Sequence, residues 1–566
     1  MDENVGDPGA WQLWWEFNKD RYLRYSNVNT GDTLTGTDEF SLGKGESFRT
    51  IGGRVDAKLI QERVLPAIQK GIELGGSNEY VKSGMMGLAK IGGAENYRTV
   101  DFMMRYFLVH GEAEIHHTAA AALGIAGFEQ SYSLLTELAK DSPSGREQCS
   151  KAEVPMKTRA FAAYGMGLIG QKSTSSRLRT QIVADLIALL EEEDPKTNDV
   201  QVAAMVSLGL IPLEMGRDVE VCICGECEVK DPSTSYQAQV TYLMRYFTAD
   251  TEYDPVVRAH TASTLARLVD AGSGQQDEAL AEAVEEIKLG VCDKLVESLQ
   301  RYARQPHMVR ESAVMALGLV GDADDSDVDN WIRRELGSIA KAGKGIEQRF
   351  ALMALAEVGS RRGQGENAWA GTSDVRADLL QVMTKSKKSV RPWATLALGV
   401  LGNHLALSGQ ERSSTVDKAL ERAARGAKSV QEMGALSLAA GLRQTSAMAP
   451  VLIKKMESLK DETSRSYVAI GLGLLGDKSA INPLQETLKA STEDPLLAVR
   501  AGLALGLLGD DSVIKSLLQK LEDVETTEEK ASIAGALGFI GDRRSIDALV
   551  TLLEDREDPM AGHRGA

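Results

Sequence analysis

The sequence predicts an all-α fold, an α-solenoid of about twelve stacked helical hairpins, and three observations carry that prediction. A five-residue signature of the form Leu-Gly-Leu-Leu-Gly recurs along nearly the whole chain, each time at the end of an Ala-rich apolar stretch. Where the spacing is cleanest, successive signatures end at 442, 476, 509 and 541, intervals of 34, 33 and 32 residues, the length of a two-helix repeat. A Gly-Asp pair then follows, as in Gly476-Asp477, Gly509-Asp510 and Gly541-Asp542. Gly supplies the left-handed conformation that ends one helix, and Asp offers a carboxylate to cap the next.

Composition is consistent with a folded repeat array and excludes several classes. The chain has 566 residues, 43% apolar and 26% charged, so neither a disordered nor a disulfide-scaffold composition applies. Asp and Glu number 81 against 64 Lys and Arg, a net charge of -17, which argues against a surface built to grip nucleic acid. No apolar run reaches the ~18 residues of a membrane span, and Met1 to Pro8 lack a signal peptide's features. As written, the chain is expected in the cytoplasm.

Taken in order, residues 1–77 stand outside the repeat pattern. Trp11, Trp14, Trp15 and Phe17 form an aromatic segment followed by Tyr22 and Tyr25. Its expected role is an N-terminal cap over the apolar face of the first repeat, with partner docking through Trp11, Trp14 and Trp15 as the alternative. Residues 26–53, rich in Gly, Thr, Ser and Asp, read as an exposed loop, and Val55 to Leu74 as a leading helix.

Residues 78–555 form the array. The clearest signatures are Leu317–Gly321, Leu398–Gly402, Leu472–Gly476, Leu505–Gly509 and Leu537–Gly541. Leu123–Gly127 and Met166–Gly170 are close behind, and weaker copies end at 92, 212, 269, 359 and 442. Within a unit, Val499 to Leu508 is apolar around most of its circumference, as in a helix enclosed by neighbours, whereas Val513 to Leu521 carries one apolar stripe. These units resemble HEAT repeats of the phycobilisome-lyase-like subtype. That resemblance implies a solenoid with a concave binding face, on scaffolds, chaperone-like lyases and a few enzymes. The Trp11–Phe17 opening also resembles that of large bacterial HEAT-repeat proteins whose precursors carry a signal peptide, which implies an extracytoplasmic placement if a leader is removed.

About eleven residues before each signature's end many units carry a basic residue: Arg159, Arg258, Arg310, Arg349, Arg391, Arg465 and Lys530. The HEAT resemblance implies a structural ladder, with each Arg bonding acidic groups and carbonyls of the neighbouring unit; His116 takes the corresponding place in the second unit.

Unit four is interrupted at residues 213–235. Alternation around Gly225-Glu226 predicts a small β-hairpin near 217–230, with Cys224 and Cys227 opposite each other and Cys222 beside them. These three sulfurs suit a structural Zn²⁺, a disulfide or inert surface thiols, and zinc lacks an evident fourth ligand in the sequence. Residues 331–430 hold 17 Lys and Arg against 9 Asp and Glu, with Lys385, Lys387 and Lys388 the densest part, a candidate surface for an acidic partner. Residues 556–566 read as a frayed tail.

There is no Gly-x-Ser-x-Gly motif, no P-loop and no His-Glu dipeptide, the iron-ligand pair implied by likeness to deoxyhypusine hydroxylase. The expected function is a non-catalytic scaffold or adaptor that binds a protein partner on its concave or charged faces, with no cofactor beyond the zinc alternative. A self-assembling homo-oligomer pairing its basic middle with acidic ends is the second reading, and a chaperone-lyase or metal-dependent enzyme the third.

Overall fold

The computed structural model describes residues 11–23, 57–73, 77–192, 197–216, 221–249, 253–272, 278–300, 304–491, 495–510, 512–524 and 526–554. The expected loop 26–53 and tail 556–566 lie outside these residues. The described chain is helical, without a strand. It divides into two compact units, one of residues 61–320 and 553–554, the other of residues 11–23, 57–60 and 321–552.

Each of the twelve signatures closes a helix that packs against the corresponding helix of a neighbouring hairpin. In the N-terminal unit the row runs Asn78–Ile91, Ala113–Ala126, Met156–Lys172, Asp199–Leu208, Pro255–Gly272 and His307–Val320. In the C-terminal unit it runs Gly345–Ser360, Arg391–Leu407, Val430–Leu442, Glu462–Leu475, Pro495–Leu507 and Thr527–Ile540. The returning helices, such as Thr372–Lys385 and Ile481–Ala490, form a second layer.

One hairpin shows why these residues fold this way. Asp461 accepts from the Ser464 N–H at 2.6 Å and starts the helix Glu462–Leu475. Gly476, at φ 77°, ends it in the left-handed region, where a Cβ would be strained. Asp477 accepts from the Ser479 N–H at 2.9 Å and turns the chain into Ile481–Ala490. From Ser466 to Gly473 the first helix is buried on every side, whereas the second buries only Leu484, Thr487 and Leu488. Each such leucine contributes about 1.5–3 kcal/mol on leaving water. The row is tight because small residues face each other: a Cβ on Gly471 would lie 2.4 Å from the Ser437 carbonyl oxygen.

The sequence expectation for residues 213–235 needs correction, because no strand forms in the described part of this segment; residues 217–220 lie outside it. Its backbone groups are taken up by a neighbouring helix rather than by a ladder. The Gly216 N–H donates to Gln237 Oε1 at 2.8 Å, and the Cys222 N–H to Thr241 Oγ1 at 3.1 Å. Gln239 donates to the Leu208 and Ile211 carbonyls, both at 3.1 Å.

Candidate protein-binding face and cysteine loop

The aromatic segment, expected as a cap on the first repeat, instead packs within the C-terminal unit. Its helix Trp11–Asn18 and the following turn lie in the C-terminal unit, against five consecutive first helices. The reason is a set of complementary groups on those helices. Trp11, 2% exposed, fills a gap over Gly434, where a Cβ would meet the indole at 2.8 Å. Its ring lies 5.0 Å from that of Tyr467, tilted by 57°. Glu16 accepts from Arg500 Nη2 at 2.8 Å, while the same guanidinium sits 4.3 Å over the Tyr467 ring. Trp15, 1% exposed, stacks on Tyr22, and Tyr22 stacks in turn on His404. Trp14 is half-buried, and Phe17 projects into solvent.

At the end of the segment Arg21 pairs with Glu357 at 2.5 Å. Glu357 also lies 3.4 Å from His404 Nδ1, which is 3.2 Å from Ser360 Oγ. Burial works to raise the Glu357 carboxyl, but the charges of Arg21, then His404, and the Arg21 hydrogen bond outweigh it and hold the group at about 2. The docking is also incompletely satisfied: Trp11 Nε1 and both polar atoms of the buried Gln12 have no hydrogen-bond partner among the described residues.

Sequence reasoning missed Glu357, His404, Gly434, Tyr467 and Arg500 as the receiving surface, since they lie hundreds of residues from the segment they hold. It singled out Lys385, Lys387 and Lys388, which the structure leaves exposed between the helices Thr372–Lys385 and Arg391–Leu407.

Several ladder residues bond the carbonyl at or near the end of an earlier helix. Arg159 Nε donates to the Ala139 carbonyl at 2.8 Å, and its Nη2 pairs with Glu192 at 2.5 Å. Arg258 Nη2 donates to the Phe247 carbonyl at 2.9 Å, Arg310 Nη1 to that of Leu299 at 2.6 Å, and Arg391 Nε to that of Ser386 at 2.7 Å. Gln348, beside Arg349, donates to the Ala340 carbonyl at 3.0 Å, and Arg465 Nε is buried with no hydrogen-bond partner among the described residues. His116 is buried, and desolvation pulls its imidazole below its ordinary value.

The cysteine loop brings its three sulfurs together, though not in the expected pairing. Cys222 and Cys227 form a disulfide, and Cys224 Sγ lies 2.8 Å from Cys222 Sγ and 3.7 Å from Cys227 Sγ. Without a hairpin register, Cys224 and Cys227 do not face each other across strands. Gly225 makes the turn at φ 83°, and Ile223 packs onto Gly290 of the helix Glu278–Leu299.

A second cluster, Asp322, Asp324 and Asp329, was not anticipated, although Asp-x-Asp-x-Ser-x-x-Asp stands in the sequence. Its carboxylates are engaged by the turn itself: Asp322 N–H donates to Asp329 at 2.7 Å, Asp324 N–H to Asp322 at 3.0 Å, and Gly365 N–H to Asp324 at 2.8 Å. No described helix is long and apolar enough to cross a membrane.

A model of the PBS lyase HEAT-like repeat matches residues 530–555. Among curated proteins none matches the chain. Solved structures with a similar arrangement include the Kap95:Nup1 complex, at 13% identity over 88% of this chain and 71% of that one, with a TM-score of 0.36. Yeast importin-beta (Kap95p) gives 12% identity, 86% and 69% coverage and a TM-score of 0.35. Human deoxyhypusine hydroxylase in complex with glycerol gives 15%, 59% and 98%, and 0.21. The chain is thus an array of stacked helical hairpins closed by one recurring glycine signature, and the last of these hairpins is similar to the PBS lyase HEAT-like repeat.

Proposed function

We propose that the chain is a non-catalytic protein-binding scaffold whose binding face is the row of first helices from Gly345–Ser360 to Pro495–Leu507. One observation carries this reading: that row already holds a peptide, the chain's own segment Trp11–Leu23. It does so with an aromatic gap at Gly434, a carboxylate at Glu357 and a guanidinium at Arg500. The matching ligand is a short amphipathic helix with two buried aromatic residues, an acidic residue on their flank and an Arg after them, a helix-in-groove mode of recognition. The resident segment is a suitable competitor rather than a permanent strut, because Gln12 is buried with no partner among the described residues, at a cost of about 1–3 kcal/mol.

The test uses the chain lacking residues 1–23 and a fluorescent peptide of residues 9–24, followed by anisotropy. Saturable binding that weakens with Gly434→Leu and Glu357→Gln supports the reading. A truncated chain that keeps its helical circular dichroism and cooperative melting yet binds no peptide overturns it.

A further inference from the structure

The cysteine loop is built as a site. Ile223 packs inward against Gly290, whereas the sulfurs of Cys222, Cys224 and Cys227 gather at the surface. The Cys222 N–H is held by Thr241, and the turn at Gly225 lies against Thr248, so the start and the turn of the loop are fixed to the helix Tyr236–Thr248. The three sulfurs lie within 4.8 Å of one another, and among the described residues no fourth Cys, His, Asp or Glu joins them. Near the loop, Arg245 lies 3.6 Å from Glu228 and Lys294 pairs with Glu297 at 2.8 Å.

The geometry points to a redox-gated site for one thiophilic d¹⁰ ion, Zn²⁺ or Cu⁺, held by the thiolates of Cys222, Cys224 and Cys227. Soft thiolate donors select these ions. At a Zn–S length of about 2.3 Å, tetrahedral ligands stand ~3.8 Å apart. Cys224 and Cys227 already stand 3.7 Å apart, so only the Cys222 sulfur has to move away from both. In the oxidised form the Cys222–Cys227 bond closes the site. A dithiol reductant supplies two electrons and two protons, the S–S bond becomes two thiols, and the reductant leaves as its own disulfide. The ion then displaces three protons from the three thiols and forms three metal–sulfur bonds. Zn²⁺ completes four-coordination with a solvent molecule, whereas Cu⁺ is satisfied by the three sulfurs.

The experiment takes the full chain, reduces it with a dithiol without oxygen, removes the reductant, and titrates Zn²⁺ or Cu⁺ alone against a competing chromophoric chelator. Co²⁺ serves as the spectroscopic stand-in, since its sulfur-to-metal charge-transfer intensity counts thiolates. One ion per reduced chain, none per oxidised chain, and loss of binding in Cys224→Ser are expected. Cys224→Ser leaves the disulfide partners intact and therefore isolates the third sulfur. The double variant Cys149→Ser/Cys292→Ser, at two buried thiols, controls for binding elsewhere and is expected to bind like the parent. Comparing the two titrations identifies the ion. A reduced chain that binds neither ion, or a Cys224→Ser variant of unchanged melting temperature that binds as tightly as the parent, overturns the assignment.

Discussion

Replacing Trp11 by Ala tests whether the N-terminal segment is held by its indole or merely lies over the repeats. The ring is 2% exposed, contacts Tyr467 at a centroid distance of 5.0 Å, and fills the space left by Gly434. Truncating a buried aromatic to Ala costs about 3–5 kcal/mol. The indole N–H has no acceptor among the described residues, so removing it also relieves one buried unpaired donor, and the net loss belongs at the lower end, about 3 kcal/mol. At about 1.4 kcal/mol per tenfold change, the docked-to-undocked ratio falls about 10²-fold. The helix Trp11–Asn18 has 8 residues, far short of what persists alone in water, so undocking and unwinding of this helix are one event. Hydrogen exchange reads it directly: the amides of Trp15 to Leu23 are expected to exchange about 10²-fold faster in Trp11→Ala, while those of Glu462–Leu475 keep their protection. Unchanged exchange across Trp15 to Leu23, with the variant otherwise folded, refutes the claim that the indole anchors the segment.

The docking is also expected to respond to acid. Glu357 is held at about 2, below its ordinary 4.5, so its contribution is fully present above pH 4.5 and is lost as pH falls toward 2; segment exchange should rise over that window, and Glu357→Gln should flatten the rise. Burial pushes the Cys149 thiol up to about 11, so at pH 8 iodoacetamide should modify the exposed Cys224 and spare Cys149 in the folded chain. Because that raised value favours the neutral thiol, its stabilisation is fully present below pH 9.0 and lost toward 11, and Cys149→Ala should lose less thermal stability than the parent over the same interval. Among the ladder residues, Arg258→Ala should lower the urea midpoint more than Arg391→Ala. Arg258 is 1% exposed and holds both the Phe247 carbonyl and Gln305, a loss of about 3 kcal/mol, whereas Arg391 is half-buried and is seen to hold the Ser386 carbonyl.

The hairpins were legible because their determinants are local. Asp461, Gly476 and Asp477 act on groups a few residues away, and the difference between a helix buried on all sides and one with a single stripe is written in a dozen consecutive residues. The Arg310 contact is equally local, reaching only from one helix start to the Leu299 carbonyl at the preceding helix end. Beside Arg349, Gln348 donates to the Ala340 carbonyl, so a carbonyl at a helix end can be satisfied by a residue of another type. The cysteine loop was misread because alternation implies a strand only if a partner strand takes its backbone groups; here Thr241 and Gln237 take them, and these lie in a later helix.

The address of the aromatic segment is the hardest case, and it shows what a single sequence withholds. Clustered Trp11, Trp14 and Trp15 announce that something must cover them, but any apolar face could, and the nearest in sequence is the first repeat. The discriminating information lies at the other end of the contact. At the position eight residues before the end of the signature, the repeats of the C-terminal unit carry Ala351, Ala394, Val468, Ala501 and Ile533, and one alone carries Gly, at 434. A missing side chain on an otherwise regular helix costs roughly 0.5–1 kcal/mol relative to Ala and is a vacancy to be filled. Trp11 fills it, within 2.8 Å of where a Cβ would stand. Gly434→Ala therefore separates the two effects: if the vacancy exists for the indole, the substitution raises the helix's own propensity yet loosens the segment, and a variant whose segment stays protected shows that the gap and the ring meet by coincidence.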